Sequence, residues 1–555
     1  MKSISQYRNV LAFGATALIF TLVIAVVALQ SPSDGTSANA APAPKSERRD
    51  WPMYGGTLSR DLVNTLDKNL PTNWDVAKGT NIKWSVDLGN KAYGGPVVAG
   101  GRIYIGTNNE NPRDAKIHGD KGVLMCFNES DGKFLWQAVH DKLPAGRVND
   151  WPEEGICSSP IVEGDRLYYV NNRAEVICAD VNGMANGNQG VQDETYKGEK
   201  DADVIWRLDM IGKLGVFPHN LAVCSPLIVG DTLFIVTANG VDEGHINIPA
   251  PAAPSFLALS KKDGSVLWQN NAPSEALVAA QKGGAKVKIR DLVDQGKLLM
   301  HGQWSNPVYA EPNGKPTIVF PGGDGWIRGF NPTNGDLLWK FNCNPKGTKY
   351  VLGPKATRND FVSTPVVWNN KLYIGVGQDP EHKKGVGHLW CIDLTKEPKN
   401  KDKDLSPVNN NFDATVGVNK DSGLLWHYGG KAPEEYSRNY LFGRTMSTCA
   451  VHEGLCYAAD YDGYIYCLNA DTGEKYWEDK LGADTWSSPY WVDGKIYIGT
   501  ENGTMRIYEH GKTKKLVEKV DMKADAIRAT PIAINGVIYA MTENPCKLWA
   551  IAAKK

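Results

Sequence analysis

The stretch Ser158-Ser159-Pro160-Ile161-Val162-Glu163-Gly164-Asp165-Arg166-Leu167-Tyr168-Tyr169-Val170 places two short apolar runs on either side of a Glu-Gly-Asp turn. Runs of this length broken by a glycine turn carry the signature of antiparallel strands rather than of a helix. The same phrase returns as GGPVVAGGRIYIGT from Gly94, CSPLIVGDTLFIVT from Cys224, SNPVYAEPNGKPTIVF from Ser305 and STPVVWNNKLYIGV from Ser363. It returns again as STCAVHEGLCYAAD from Ser447, SSPYWVDGKIYIGT from Ser487 and ATPIAINGVIYAMT from Ala529, which makes eight copies. A second phrase follows most copies: an apolar run, an Asp/Asn-Gly turn and a closing tryptophan. It ends at Trp136, Trp268, Trp339 and Trp477, with stretched versions at Trp206 and Trp426. A fixed internal period of this kind outranks every local signal.

Each copy holds four strands, which is one blade of a propeller. The last copy stops after Lys547-Leu548-Trp549-Ala550-Ile551, three strands into its blade, while Ile82-Lys83-Trp84-Ser85-Val86 stands alone near the start as a fourth strand. Joining the two closes the ring and removes the exposed edges of an open array. The fold class is therefore all-β: an eight-bladed β-propeller with N-/C-terminal strand closure, preceded by an N-terminal hydrophobic helix. Composition agrees. Glycine at 57, tryptophan at 17 and tyrosine at 22 residues suit many short strands joined by tight turns. Charged residues are 22% and the formal net charge is −1, with no basic run to track a phosphate backbone, so nucleic acid is excluded as a partner.

Lys2 and Arg8 precede an uncharged apolar stretch from Val10 to Leu29, about 30 Å long as a helix. A Ser/Pro/Ala/Gly-rich tether follows, with Ala38-Asn39-Ala40 in the small-x-small form that signal peptidase cuts. Three segments result: 1–29 as signal sequence or transmembrane anchor, 30–48 as flexible tether and 49–555 as propeller. The basic residues favour an N-terminus inside and the rest outside, so the propeller is expected on the periplasmic or cell-envelope side. Membrane contact runs through the N-terminal segment, whether it stays as an anchor or is cleaved.

The phrase Leu468-Asn469-Ala470-Asp471-Thr472-Gly473-Glu474-Lys475-Tyr476-Trp477 is similar to the tryptophan-docking repeat of pyrroloquinoline-quinone (PQQ)-like propellers. The resemblance covers roughly Trp51 to Lys555. That family includes quinoprotein alcohol dehydrogenases and non-catalytic relatives, among them the propeller lipoprotein of the outer-membrane β-barrel assembly machine. The resemblance implies the fold strongly and the function weakly.

Antiparallel order within a blade puts the loops between second and third strands on the same face as the connections between blades. Three long loops, Asn108 to Gly122, Asn239 to Ser255 and Gln378 to Gly387, fall there, as does the long connection Ala272 to Gln303, whose Ser274 to Met300 part reads as short helix. Other blades turn with only Asp324-Gly325, Asp462-Gly463 or Asn502-Gly503. Loops carried by a rigid scaffold are where binding sites arise. His219, Trp304, Arg358, Arg444, Trp486 and Arg528, near the starts of innermost strands, would form an aromatic and cationic ring over the central channel. The bland alternative is interblade packing of the indoles. The insertions Val181 to Asp203 and Thr395 to Asp421 fall on the opposite face and read as solvated loops.

The expected function is a non-catalytic scaffold whose loop-rich face binds an envelope protein or a small-molecule ligand. Two alternatives stand beside it: a PQQ- and calcium-dependent alcohol dehydrogenase, and a structural envelope protein without a specific ligand. For the dehydrogenase, Thr237-Ala238-Asn239 resembles the Thr-Gly-Asn whose Asn ligates calcium in that family, and Asp242, Glu243, Asp324, Asp379 and Glu381 offer oxygen ligands on the same face. Against it, none of the ten cysteines adjoins another, and no Cys-x-x-Cys-His haem motif is present. No cofactor is expected. His219, Asn239, Trp304, Asp324, Arg444, Trp486 and Arg528 are the candidate ligand-binding residues, with no catalytic residue.

Cys126, Cys178, Cys391 and Cys467 recur at one repeat position and are expected to fill interior pockets. Cys449 and Cys456 flank a turn, where a cross-strand bond competes with two free thiols. No His-Glu-x-x-His is present; His382 and His388 read as a solvated loop, and no metal site is expected.

Overall fold

The computed structural model describes residues 48–553, except 284–287, 295–300, 346–347, 350, 354 and 408–418. The apolar segment Val10 to Leu29, the tether up to residue 47 and their expected helix lie outside the described residues. Among the described residues no helix is long and apolar enough to cross a membrane.

Eight sheets form, one per copy of the repeat; seven are four-stranded and antiparallel, and in the remaining one Val63–Asn64 adds a fifth strand parallel to Tyr490–Val492. Blade 1 begins with Val97–Ala99, blade 2 with Ile161–Glu163, blade 3 with Leu227–Val229 and blade 4 with Val308–Ala310. Blade 5 begins with Val366–Trp368, blade 6 with Ala450–His452, blade 7 with Tyr490–Val492 and blade 8 with Ile532–Ile534. In blade 8 the outermost strand is Ile82–Asp87, paired antiparallel with Lys547–Ile551 from the other end of the chain. The expected closure is thus the one that forms.

The repeat phrase has a physical reading. The residue before the proline, or before Cys449 in the copy that has no proline there, links adjacent blades. Ser159 N–H donates to Ser225 Oγ at 3.0 Å, Ser225 N–H to Asn306 Oδ1 at 2.6 Å, and Asn306 Nδ2 to Thr364 Oγ1 at 2.7 Å. The belt continues from Thr364 N–H to Thr448 Oγ1, Thr448 N–H to Ser488 Oγ and Ser488 N–H to Thr530 Oγ1. Small hydroxyl or amide side chains are needed because they reach one blade on and no further. Proline then starts the innermost strand, where its missing N–H breaks no ladder.

The closing tryptophans work between blades. Trp136 Nε1 donates to Val181 O, Trp206 to Lys261 O, Trp268 to Pro332 O, Trp426 to Ala470 O and Trp477 to Gly511 O, at 2.9–3.1 Å. Each indole lies on the next blade's turn. A Cβ at Gly264 or Gly473 would stand 2.6 or 2.7 Å from the ring of Trp206 or Trp426, and both glycines have φ of +73°. Glycine is required on both counts.

One element has no counterpart in the repeat. Residues 51–64 run along the inward edges of the innermost strands. The carbonyls of Trp51, Pro52, Leu58, Ser59 and Leu62 accept from the N–H groups of Val98, Val162, Tyr309, Val367 and Trp491 at 2.9–3.1 Å. Those are edge donors of blades 1, 2, 4, 5 and 7, which the four-stranded sheets leave unpaired. Arg60, fully buried, donates to Ser225 O, Pro226 O and Pro307 O; Tyr54 O–H donates to Thr448 Oγ1, and Asn64 Nδ2 to Ala533 O. The segment thereby touches every blade.

Cys126, Cys178, Cys391 and Cys467 are buried, as expected, and pair across the ladder with Tyr104, Tyr168, Tyr373 and Tyr457. Cys449 and Cys456 are free thiols, as are the other eight cysteines. The expected short helix of the blade 3 to blade 4 connection forms as Glu275–Lys282 and Ile289–Asp294.

Candidate functional site

A cavity of about 300 Å³ opens over the channel. Its floor is the polar belt, with Ser159, Ser225, Asn306, Thr364, Ser488 and Thr530, together with Tyr54 of the segment that threads the channel. Its walls are aromatic: Tyr93, Trp151, Trp304 and Trp486. Trp486 packs against Tyr93 at 5.6 Å and edge-on to Tyr461 at 6.0 Å, so its position is fixed from two sides. Trp304 stacks on His219 at 5.3 Å, and its Nε1 donates to His219 O at 3.1 Å.

Three of the expected ring residues, Trp304, Trp486 and Arg528, line this cavity. The other three do not. His219 is fully buried and Arg358 and Arg444 are 6% and 9% exposed. Arg444 turns inward to the carbonyls of His382 and Lys383 and to Gln378 Oε1 at 2.6 Å, where it shapes the blade 5 loop. The correction is one of depth: the start of an innermost strand is followed at once by buried backbone, and a long cation satisfies loop carbonyls there rather than reaching the channel.

Arg528 is braced. Its Nε donates to Glu501 Oε2 at 2.9 Å, and its Nη1 to Glu543 Oε2 at 2.6 Å and Tyr93 O–H at 3.2 Å. Burial raises the carboxyl of Glu501 above its ordinary value, and Arg528 opposes that rise. Replacing Arg528 with methionine leaves two carboxylates without their cation. At one-fifth exposure of the arginine the expected loss is about 2–3 kcal/mol at neutral pH, below the ~3–5 of a fully buried pair. The sign with pH follows from the carboxyl of Glu501: without Arg528, which opposes its rise, the folded variant holds that proton more tightly than the folded parent. The deficit of Arg528→Met therefore grows as pH rises through the raised carboxyl range and shrinks below it. Melting temperatures of both proteins at pH 5 and pH 8 check this; an equal gap at the two pH values contradicts it.

Asn239 and Asp324 are committed elsewhere. Asn239 Oδ1 accepts from Phe217 N–H at 2.9 Å and its Nδ2 donates to Ala250 O at 3.0 Å, so it pins the long loop of blade 3. Asp324 forms a buried bidentate pair with Arg328. Asp242 closes its own loop on Ile246, Asn247 and the Asn247 amide, and Glu243 pairs with Arg147 at 2.7 Å. The oxygen set read from the sequence is thus divided among separate structural roles. Asp379 and Glu381 do line the cavity.

His382 and His388 do not share a solvated loop. His388 opens the third strand of blade 5, is 3% exposed, and its Nδ1 is 2.9 Å from His427 Nε2. His382 sits on a short turn with its Nδ1 2.9 Å from Asp379 Oδ2. His388 is the first residue of the strand His388–Asp393, directly after the loop Gln378 to Gly387.

The sequence profile of the family described as outer membrane protein assembly factor BamB matches residues 192–410 and 412–554, more than half of the chain. The outer membrane protein assembly factor BamB of Salmonella typhimurium is 22% identical over 340 residues, covering 55% of this chain and 76% of that protein. The 1-butanol dehydrogenase (cytochrome c) of Thauera butanivorans is 26% identical over 136 residues, 22% of this chain and 19% of that one. Among solved structures, a europium-containing methanol dehydrogenase superposes with a TM-score of 0.56 at 14% identity, covering 90% of each chain; that likeness is one of fold. Eight blades and a profile match that runs from residue 192 to residue 554 lead to one assignment: the chain belongs to the family of the outer membrane protein assembly factor BamB.

Proposed function

We propose that this chain is a non-catalytic envelope propeller whose loop-rich face takes a segment of a partner protein into the cavity over the channel. The observation that carries the reading is the division of labour in that cavity. Arg528, Asp379 and Glu381 are already partnered within the protein, while three tryptophans and a tyrosine turn part of their aromatic surface to the cavity. Aromatic anchors in a concave, partly polar site are what protein recognition uses, and they do no bond chemistry of their own. The names of the curated relatives point to outer-membrane protein assembly as the setting. In this reading residues 1–29 deliver the propeller to the envelope as signal or anchor, and 30–48 tether it.

A photo-crosslinking residue at position 486, in cells, is expected to give discrete adducts with an envelope protein. The same residue at Asn188, on the opposite face, is expected to give none. Trp304→Ala should weaken that partner's affinity about 10- to 100-fold, the scale of an interface anchor. Equal adducts from both faces would contradict the assignment.

The dehydrogenase reading draws on the same aromatic cavity and on the partial likeness to a 1-butanol dehydrogenase. Calorimetric titration with PQQ and calcium, followed by a dye-linked alcohol oxidation assay, separates the two. Tight one-to-one binding with turnover replaces the scaffold reading.

A further inference from the structure

Behind the Trp304 wall three histidines converge from separate segments. His219 leads into blade 3, His245 lies in the long loop of that blade, and His301 ends the connection to blade 4. One ring nitrogen of each lies within 4.8 Å of the other two, and His219 Nε2 is 3.1 Å from His245 Nε2. Two nitrogens bound tetrahedrally to one zinc ion stand about 3.3 Å apart, given zinc–nitrogen bonds of ~2.0–2.1 Å. His219 Nδ1 is 3.0 Å from the Val241 carbonyl, which can only accept, so the proton sits on Nδ1 and Nε2 presents its lone pair to the cluster.

His301 decides the matter. It is fully buried, and neither of its ring nitrogens has a hydrogen-bond partner. A bond between His245 and His219 explains two of the rings as ordinary packing; it leaves the third with both polar atoms desolvated and unanswered. Carboxylates stand next to it. Asp379 Oδ2 is 3.4 Å from His301 Nε2, and Asp360 Oδ2 is 3.7 Å from His301 Nδ1.

We propose that His219, His245 and His301 bind one divalent transition-metal ion, with zinc as the natural candidate and Asp379 supplying the balancing carboxylate. Imidazole nitrogens with one carboxylate favour zinc and its neighbours over calcium or magnesium. The ion ties the two long segments of blade 3 to the blade 5 loop that carries Asp379. Trp304 stacks on His219, and Asp379 and Glu381 line the cavity, so occupancy sets the cavity wall. The site stands independently of what the cavity receives.

The test uses the full chain purified in detergent, stripped with a chelator and reloaded with zinc or cobalt. Elemental analysis is expected to find one ion per chain, with a micromolar or tighter dissociation constant by calorimetry, and cobalt is expected to show the intense visible bands of a tetrahedral site. His301→Asn and His245→Gln should each lower zinc affinity at least ~100-fold, beyond what loss of a mere supporting contact gives. The exposed His118→Gln should leave it unchanged. If His301→Asn does not fold, His245→Gln decides, because that residue lies on a loop and retains the others' packing. Zinc should also raise the melting temperature of the parent chain and not of His245→Gln. Fewer than about 0.1 ion per chain at tenfold excess zinc, or equal affinity in the variants, overturns the proposal.

Discussion

A chain ended after Pro545 is expected to lose the cooperative melting of the propeller and to aggregate, whereas one ended after Ala553 melts as the parent does. The strand removed, Lys547–Ile551, is paired on both sides, with Val537–Thr542 and with Ile82–Asp87. Leu548, Ala550 and Ile551 are fully buried in it and Trp549 is 8% exposed. At about 1.5–3 kcal/mol for each of its three large apolar side chains, its burial contributes roughly 5–9 kcal/mol. That is the scale of the whole stability of a domain, about 5–15 kcal/mol. The loss does not stay local, because a propeller without its latch presents two sheet edges that the closed ring lacks. Circular dichroism melts and gel filtration of the two truncations decide the point; a chain ended at Pro545 with the parent's melting temperature and elution volume would show that closure contributes little.

The latch was legible in the sequence because it is a deficit in a count: a copy with three strands at one end and a strand with no copy at the other. The blades were legible because the phrase around Ser158 recurs with its proline and turn in place, and each of these residues acts between neighbours. The segment 51–64 was not legible. It works through backbone carbonyls, which carry no side-chain signature, and it meets residues as distant as Val367 and Trp491. Its local peculiarities, Gly55 and Gly56 with φ near +78° and Arg60 and Leu62 with φ near +55°, are backbone conformations that side chains rarely adopt.

The site divides in the same way. The face was readable from strand order alone, and the loop of blade 5 lines the cavity through Asp379, Pro380 and Glu381, whereas no residue of the blade 3 loop does. Trp304, Trp486 and Arg528 each stand four residues ahead of an innermost strand and line the cavity. His219 and Arg358 stand eight residues ahead of theirs and Arg444 six, and at that distance all three side chains are buried. The convergence of His219, His245 and His301 leaves no sequence motif, since zinc patterns are recognised by short spacing on one element and these rings come from three.

Replacing Arg60 with methionine tests the channel segment, and the sign of the result is informative. Arg60 is fully buried with no carboxylate bonded to it; burial lowers its guanidinium to about 10. Its donors reach Pro307 O at 2.7 Å, Ser225 O and Pro226 O at 2.9 Å and Tyr54 O at 3.2 Å. Methionine fills much of the same volume and avoids the desolvation of a charge, which in some proteins makes such a replacement neutral or stabilising. Here it also leaves the carbonyls of blades 3 and 4 without donors, at about 1–3 kcal/mol for each group left unsatisfied. Three or four such losses outweigh the relief, so a net loss of roughly 3–5 kcal/mol is expected, with Arg60→Lys intermediate because an ammonium cannot fork. Both variants keep a side chain at a positive φ, so backbone strain is held constant. The distinguishing readout is hydrogen exchange. The N–H groups of Val162, Tyr309 and Val367, which donate to the segment's carbonyls, should exchange faster in Arg60→Met, while the N–H groups paired within the sheets of those blades change less. Uniform acceleration would mean that Arg60 supports the whole ring, and a raised melting temperature would mean that the buried cation serves to fix the path of the segment at a cost in stability.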